Sequence, residues 1–437
     1  MTTDTKKVNE RELAVDILLM VTRDGVHSHL ALGEVLDKYR YLEKKSRAFI
    51  TRLVQGTLER MLELDWVLDQ YSKTPVKKMK PLIRCIMRSS VYQLLYMDSV
   101  PASAACNEAV KLAAKRGFSG LKGFVNGVLR SISRGKEAGL IRYPDEASDP
   151  WLYLSIRYSM PRWILELWNE TYDYETIRRM CEDMFAHRPT AIRIAPGVSM
   201  EALTKELTAA GISVEQTELN DALLISGYDY LGNLPAFVRG DFYVQDLSCM
   251  QAMLAPRIQK GWNIIDVCGA PGGKAIHGAQ LMDGSGHVEA RDISEYKADL
   301  IRENLARTHT DNVTVKVWDA TVEDPDVLGS ADLVIADLPC SGLGVLHGKP
   351  EIKYRMSRQQ LEELAALQRQ ILSVVQAYVK PGGRLIYSTC TVSPMENEGN
   401  VSWFENQYPV FKKCDECQLL PDTHRDGFFY ALFTREE

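Results

Sequence analysis

Apolar side chains in the first 140 residues recur three and four positions apart, which is the period of an amphipathic α-helix. Leu13, Ile17 and Val21 fall on one helical face, and a longer stripe of this kind follows later in the block. The pattern predicts an all-α domain over residues 1–140. A polar linker and connecting helices are expected over residues 141–186, where strand signals are few.

The period changes near residue 187. One short apolar strand, a helix ending at Gly211 and two further strands follow within about fifty residues. This pattern predicts a small α/β subdomain of RRM-like type over residues 187–238. We expect its role to be structural, with contact to RNA as the weaker alternative.

Strands and helices alternate through residues 239–437, and this alternation is typical of a parallel sheet. Five predicted strands lie within the stretches 263–270, 287–294, 313–320, 331–339 and 382–390, and a sixth lies near the C-terminus at 428–435. The fold prediction is therefore multidomain, with an all-α N-terminal domain, a small α/β unit and a larger α/β domain of Rossmann-like type.

Charge is distributed unevenly along the 437 residues, whose net charge is -6. Residues 1–140 hold 24 Lys and Arg against 15 Asp and Glu, which gives +9, whereas the remainder holds 28 against 43, which gives -15. A basic block on an acidic chain is typical of a nucleic-acid contact. A lysine-rich solvated helical surface is an equal alternative.

Cysteine usage and hydropathy bear on the compartment. The nine cysteines are scattered, which favours a reducing cytosol over a disulfide framework. No apolar run reaches the 18 or more residues that a membrane span needs, and the N-terminus lacks the features of a secretory signal. We therefore expect a cytoplasmic protein with no membrane contact.

The first chemical motif stands where the first strand of the predicted parallel sheet ends. Small residues there let a ligand approach the backbone closely, and the next helix offers free N–H groups. The alternative is a tight strand-to-helix turn with a purely structural role, but nine consecutive, mostly small residues at this position favour a ligand site. The motif comprises Asp266, Val267, Cys268, Gly269, Ala270, Pro271, Gly272, Gly273 and Lys274.

Aspartates close the next two strands. Asp292 follows the glycines by about twenty residues, where a carboxylate can accept hydrogen bonds from ribose hydroxyls. Asp319 ends the third strand and is placed to accept from an exocyclic amine. The chain lacks GxGxxG and GxxxxGK[ST] motifs. Together these residues describe a nucleoside pocket without a phosphate clamp, and S-adenosylmethionine is such a ligand.

Two cysteines follow the fourth and fifth strands. Cys340 lies in the motif Asp337–Gly342, and Cys390 ends the motif Ser388–Cys390. A single buried cysteine is usually inert, but two cysteines at neighbouring strand ends favour catalysis. The stretch Ser393–Glu396 has the pattern of a capping box and predicts a helix that starts just after Cys390.

A CxxC pair near the C-terminus gives a further candidate site. Cys414 and Cys417 have the spacing of half a zinc site, but the sequence offers no second pair. We predict no metal.

The three motifs occur in one order that resembles the RNA cytosine-5 methyltransferases of the Sun family. The stretch Ser90–Arg134 resembles the antitermination factor NusB. A NusB-like domain joined to this catalytic domain is the arrangement of bacterial 16S ribosomal RNA methyltransferases. The resemblance implies a class I methyltransferase domain over residues 239–437, 16S ribosomal RNA as substrate and S-adenosylmethionine as cofactor.

The resemblance also implies roles for single residues. Cys390 would add to carbon 6 of cytosine as the nucleophile, and Cys340 would assist release of the product. For the mechanism that follows from these roles, we expect Asp337 to hydrogen-bond the cytosine edge. The helix expected near Ser393 would lower the pKa of Cys390. The cofactor pocket would comprise Asp266, Cys268, Gly269, Ala270, Pro271, Gly272, Gly273, Lys274, Asp292, Asp319 and Asp337.

Some alternatives stay open at this point. Pro339-Cys340 alone resembles the nucleophile motif of DNA cytosine methyltransferases, so the nucleophile could be either cysteine. A DNA or protein methyltransferase, or a non-enzymatic RNA-binding protein built on the NusB-like domain, would also fit parts of the chain. We expect a monomer. The base that removes the carbon-5 proton is not identified by the sequence.

Overall fold

A computed structural model of the chain describes residues 8–437, so the first seven residues of the predicted N-terminal domain lie outside the described part. The chain divides into two compact units. One comprises residues up to Phe185 together with Leu346–Arg355, and the other comprises Ala186–Val345 and Met356–Glu437.

The first unit is helical, which confirms the all-α prediction. Polar caps and prolines begin several of its helices: Asn9 accepts a hydrogen bond from Glu12 N, and Pro81 occupies a first turn. Residues such as Ile17 and Val21 lie in its core. Its main helices are α1 (Glu10–Thr22), α2 (Ser28–Lys38), α3 (Lys44–Glu59), α4 (Met61–Tyr71), α5 (Pro81–Tyr96), α6 (Ala102–Lys115), α7 (Lys122–Glu137), α8 (Pro150–Arg157), α9 (Arg162–Asn169) and α10 (Tyr174–Asp183).

A distant segment, Leu346–Arg355, completes this helical unit. Lys353 Nζ donates a hydrogen bond to the carbonyl oxygen of Glu59 at 2.9 Å. Arg355 donates to the carbonyl oxygens of Val21, Gly25 and Val26 around the end of α1, where helical carbonyls lack internal partners. The segment therefore closes one end of α1 with side chains that stand more than 300 residues later in the sequence.

The second unit begins with a small antiparallel sheet of strand order β2-β3-β1-β4. The fourth strand lies beyond the boundary predicted at residue 238, since it pairs with β1 from Phe242 to Val244. The elements of this part are β1 (Thr190–Ile194), α11 (Met200–Ala209), β2 (Ser213–Gln216), β3 (Ala222–Ser226), α12 (Pro235–Val238), β4 (Phe242–Val244) and α13 (Leu247–Leu254).

A seven-stranded sheet of order β10-β11-β9-β8-β5-β6-β7 forms the remainder and confirms the Rossmann-like prediction. The strands β9, β8, β5, β6 and β7 pair in parallel, and β11 pairs antiparallel with both of its neighbours, β9 and β10. The elements are β5 (Asn263–Asp266), α14 (Gly273–Leu281), β6 (His287–Asp292), α15 (Glu295–Arg307), β7 (Val313–Val317), β8 (Ala331–Asp337), α16 (Ile352–Arg355, which packs in the first unit), α17 (Arg358–Val375), β9 (Val379–Thr389), α18 (Glu398–Gln407), β10 (Phe411–Leu419) and β11 (Phe428–Arg435).

Strand order fixes where a ligand can bind. The chain passes from β5 outward through β6 and β7 and then returns to β8 on the other side of β5. Such a reversal opens a crevice at the carboxyl ends of the central strands. The motifs ending β5, β8 and β9 therefore meet at one edge of the sheet.

One local prediction needs correction, and one strand was not predicted. The helix expected at Ser393 is wrong, because residues 394–397 form turns and α18 begins at Glu398. The CxxC pair lies on the strand β10, which the sequence pattern did not predict. Cys414 is exposed there and Cys417 is half-buried. Within residues 8–437, no group of three His, Cys, Asp or Glu side chains is arranged to hold a metal ion.

Candidate active site

Two glycines shape the loop between β5 and α14 at the sheet edge. Gly272 caps α14 with φ +104°, a conformation that side chains disfavour. Gly269 N donates a hydrogen bond to the carbonyl oxygen of Arg291 at 2.7 Å, so the loop is fastened to β6. A Cβ atom at Gly269 would lie 3.2 Å from the carboxyl group of Asp266. Glycine at this position therefore leaves space beside a buried acid.

Asp266 ends β5 and is completely buried. Within residues 8–437, neither of its carboxylate oxygens accepts a hydrogen bond from another side chain. Burial raises the pKa of Asp266 to about 7, and Lys274 opposes this shift. A buried acid that lacks a side-chain partner suits a site where a polar ligand group completes the contacts.

Lys274 connects the glycine loop to the fourth strand. Its Nζ atom donates to Asp337 Oδ2 at 2.6 Å and lies 3.2 Å from Cys249 Sγ. Although burial disfavours the ammonium ion, Asp337 raises the pKa of Lys274 above its ordinary value. Ser388 Oγ donates to the other oxygen of Asp337 at 2.7 Å. The carboxylate of Asp337 is therefore held in one orientation.

The next aspartates occupy different environments. Asp292 is buried and accepts hydrogen bonds from Ala270 N at 3.1 Å and Ile293 N at 2.8 Å. Its carboxylate therefore joins the glycine loop to the end of β6, beside the predicted ribose position. Asp319 is exposed at its strand end, and its Oδ1 atom accepts from Thr321 N and Thr321 Oγ1.

Cys340 and Cys390 come together as the strand-end positions suggested. Their Sγ atoms lie 3.3 Å apart, and both residues are half-buried. A hydrogen bond with Cys390, together with burial, raises the pKa of Cys340 well above its ordinary value. Asp337 is paired with Ser388 in the register of β8 and β9, so the loops that carry the two cysteines begin at neighbouring positions of the sheet edge.

A cavity of about 210 Å³ lies at this edge. The predicted residues Gly272, Asp292, Asp319, Cys340 and Cys390 are not part of its wall, although Asp292 bonds to the loop that forms it. The predicted residues that line the cavity are Asp266, Cys268, Gly269, Ala270, Pro271, Gly273, Lys274 and Asp337.

Sequence reasoning missed the wall that β4 and α13 contribute. This wall contains Tyr243, Gln245, Asp246 and Cys249. Asp246 caps α13, and burial together with its neighbour Asp426 raises the pKa of Asp246 to about 6. A three-residue strand gives too weak a periodic signal to be recognised, although the Asp-Leu-Ser start of α13 is a recognisable cap.

Two family models match separate parts of the chain. The family described as 16S rRNA methyltransferase RsmB/F matches residues 251–434, and the NusB family matches residues 8–134. A Bacillus subtilis relative named "Probable ribosomal RNA small subunit methyltransferase B" is 33% identical over 93% of this chain and 90% of its own length. The chain belongs to this methyltransferase family.

Further similarities extend over nearly the whole length. The ribosomal RNA small subunit methyltransferase B of Proteus mirabilis is 31% identical over 98% of this chain and 99% of its own. The crystal structure of PH0851 superposes with a TM-score of 0.83 at 24% identity, covering 98% of this chain and 99% of that one. That likeness supports the fold. Within residues 8–437, no helix is both long and apolar enough to cross a membrane.

Membership makes the protein an S-adenosylmethionine-dependent ribosomal RNA methyltransferase of the RsmB/Sun family. The residues at the sheet edge fit this cofactor. Close backbone approach is possible at Gly269 and Gly273, and Asp266 offers carboxylate oxygens without side-chain partners within the described chain. Asp292 ends β6, the strand next to β5, which is the position from which a carboxylate would accept hydrogen bonds from the ribose hydroxyls of such a cofactor.

Proposed function

We propose that the chain methylates carbon 5 of a cytosine in 16S ribosomal RNA through a covalent adduct with Cys390. One observation carries the proposal: the Sγ atoms of Cys340 and Cys390 lie 3.3 Å apart beside the fixed carboxylate of Asp337. Methylation of an amine or hydroxyl group needs no thiol, whereas carbon 5 of cytosine is too weak a nucleophile to react unaided. A thiol pair next to a methyl-donor pocket therefore favours a carbon acceptor.

The thiolate of Cys390 adds to carbon 6 of the ring, and the electron pair of the 5,6 double bond moves toward carbon 5. When bound, S-adenosylmethionine would supply an electrophilic methyl group to the activated carbon 5, and its sulfur would keep the electron pair of the broken S–CH₃ bond and leave as S-adenosylhomocysteine. A base then removes the proton from carbon 5. Its electron pair restores the double bond, and the Cys390 thiolate leaves. This covalent route divides one difficult step into two easier ones.

Other residues orient the base and complete the cycle. Lys274 and Ser388 hold Asp337 so that its carboxylate can accept a hydrogen bond from the cytosine amino group. Uracil has a carbonyl group at that position and would be rejected. Cys340, directly beside Cys390, assists the release step. The target base must leave its stack to reach this pocket.

Membership of the family and the NusB-like domain support 16S RNA as the substrate. The basic N-terminal block would hold phosphate groups of the RNA. We also propose that the protein acts as a monomer. Ribosomal RNA as the substrate favours the cytoplasm as the site of action.

Bisulfite sequencing of ribosomal RNA from cells with and without the protein tests the proposal. We expect one protected cytosine in 16S RNA that is lost with the gene and restored by the wild-type chain but not by Cys390→Ala. Labelled methyl transfer to RNA, DNA and protein separates the rival substrate classes. Transfer to DNA or protein alone would overturn the proposal, and so would cofactor binding without any transfer.

A further inference from the structure

The carboxyl group of Glu396 is completely buried beside the loop that carries Cys340. One of its oxygens accepts hydrogen bonds from Ser341 N at 2.8 Å and from Gln368 Nε2 at 3.1 Å. The other accepts from Ser341 Oγ at 2.5 Å. Gln368 Nε2 also donates to the carbonyl oxygen of Pro339 at 2.9 Å. The residues on both sides of Cys340 are therefore fastened to the Glu396–Gln368 pair.

Glu396 also belongs to the segment that carries Cys390. It follows that cysteine by six residues, and Tyr387 OH donates to its backbone carbonyl oxygen. A second contact joins the same two loops, since Thr391 Oγ1 lies 2.7 Å from Ser341 Oγ, within hydrogen-bond distance. The two strand-end loops are thus joined by one buried polar cluster, which contains Glu396, Ser341, Thr391 and Gln368.

A buried carboxyl group is costly unless several donors surround it. Burial raises the pKa of Glu396, and the hydrogen bonds from Ser341 oppose that shift. An apolar residue would fill this space without the desolvation cost. What an apolar residue could not do is fix the orientation of the Ser341 backbone, and with it the adjacent Cys340.

We infer that Glu396 is the positioning residue that keeps Cys340 against Cys390 for the release step. The inference rests on the proposed covalent mechanism. Glu396 does not touch the reacting atoms, because its carboxyl group is covered by Ser341 and Gln368. Loss of the hydrogen bonds from Ser341 and Gln368 to Glu396 should leave the attack of Cys390 and the methyl transfer intact. Cys340 should then move away from Cys390, and release of the product should slow.

The variant Glu396→Gln tests this with little change of volume. Its amide replaces one acceptor oxygen by an NH₂ group, which then faces a donor of Ser341 or of Gln368. We expect the first turnover of methyl transfer to stay within about twofold. Steady-state turnover should fall about tenfold, the equivalent of one lost hydrogen bond to a charged group. A protein–RNA adduct that survives denaturation should accumulate, as in Cys340→Ala.

Matched variants separate the outcomes. Glu398→Gln, two residues further on and outside the cluster, should behave like wild type. Ser341→Ala keeps the backbone N–H that donates to Glu396, so it should accumulate the same protein–RNA adduct in a smaller amount. This variant provides a second test if Glu396→Gln folds poorly. A parallel loss of first-turnover rate, steady-state rate and thermal stability would reduce Glu396 to a structural role and overturn the inference. Unchanged turnover in both variants would also overturn it.

The covalent mechanism itself is tested separately. Absence of any adduct in Cys340→Ala would reject the proposed function, whatever Glu396→Gln does. An adduct in Cys340→Ala but none in Glu396→Gln or Ser341→Ala would reject only the role of Glu396. An adduct in Glu396→Gln that disappears when Cys390→Ala is added would support both.

Discussion

The Sγ atoms of Cys340 and Cys390 lie 3.3 Å apart although fifty residues separate them in the chain. The contact follows from strand register, because Asp337 and Ser388 are paired in adjacent parallel strands. Each cysteine follows its paired residue by three or two positions. Neither thiol can therefore be moved far without disturbing the sheet edge.

Substitution of Cys390 and substitution of Cys340 should block different steps of the reaction. Cys390→Ala should form no adduct and lose methylation, while RNA and cofactor still bind. Cys340→Ala should transfer the methyl group and then stall as a protein–RNA adduct that migrates slowly on a denaturing gel. The reversed pattern would make Cys340 the nucleophile. Full activity in both variants would remove covalent catalysis by this pair.

The closeness of the two thiols also predicts sensitivity to a disulfide oxidant. Oxidised glutathione should accept two electrons and leave as two thiols, while Cys340 and Cys390 lose two protons and form one S–S bond. We expect methylation to stop and dithiothreitol to restore it, with the linked peptides found by mass spectrometry. Cys414→Ser should be inactivated like wild type. Inactivation with both active-site thiols still free would contradict this prediction.

Asp292→Ala should weaken the binding of S-adenosylmethionine by about tenfold or more, since a charge-assisted hydrogen bond to the ribose is lost. The substitution also leaves Ala270 N and Ile293 N without their acceptor. Asp319→Ala should cost less, because Asp319 is exposed and bonds to Thr321. Titration calorimetry measures both affinities. Equal affinity of wild type and Asp292→Ala would show that the ribose assignment is wrong.

Asp266 should make the stability of the ligand-free chain depend on pH. Its pKa is raised from the ordinary 3.8 to about 7 by burial, so the native chain holds a proton that the unfolded chain has lost between these values. The free energy of unfolding therefore falls as pH rises through this window, by a few kcal/mol at most. The asparagine of Asp266→Asn does not titrate, so the free energy of unfolding of this variant should not fall in this way.

Urea unfolding at pH 5 and pH 8 checks the prediction. The stability of Asp266→Asn relative to wild type should increase with pH, while the exposed control Asp311→Asn should show no such change. A relative stability of Asp266→Asn that is the same at both values would exclude a buried, protonated Asp266.

The basic block should contribute salt-sensitive RNA affinity. Deleting residues 1–140 is a poor test, because Leu346–Arg355 would lose its packing partners. Three exposed lysines before α5 can instead be changed to glutamine in the full chain: Lys77, Lys78 and Lys80. If each contacts a phosphate, the slope of log affinity against log salt should decrease by about 2.

A matched triple in the second unit controls for net charge. Its members are the exposed lysines Lys205, Lys260 and Lys412. Filter binding across a salt series should give the wild-type slope for this control. An unchanged slope in the first triple would mean that these lysines do not contact RNA.

Predictability from sequence differed between parts of the fold for physical reasons. In β5, β8 and β9 a buried, largely apolar run leads directly into the motif, so these strands could be recognised together with the residues they carry. The strand β10 is an edge strand with exposed, charged side chains and gives no such pattern. The three residues of β4 are too few to show a period. The cavity wall that follows it was therefore missed.

The start of α18 was mispredicted because Glu396, which the capping-box pattern assigns to a helix start, makes a tertiary contact with Ser341 instead. Ser393 and Glu396 have the spacing of a capping box. In the fold, Glu396 turns its carboxyl group to Ser341, and the helix begins two residues after it. Sequence spacing cannot show that a side chain has a better partner fifty-five residues away.

The segment Leu346–Arg355 also sets the order in which the molecule can be completed during synthesis. A ribosome makes residues in sequence, so the helical unit emerges long before the side chains that close the end of α1. Until Arg355 has left the exit tunnel, Val21, Gly25 and Val26 keep carbonyl groups without this partner. The first unit to be made is thus finished only after most of the second has been translated.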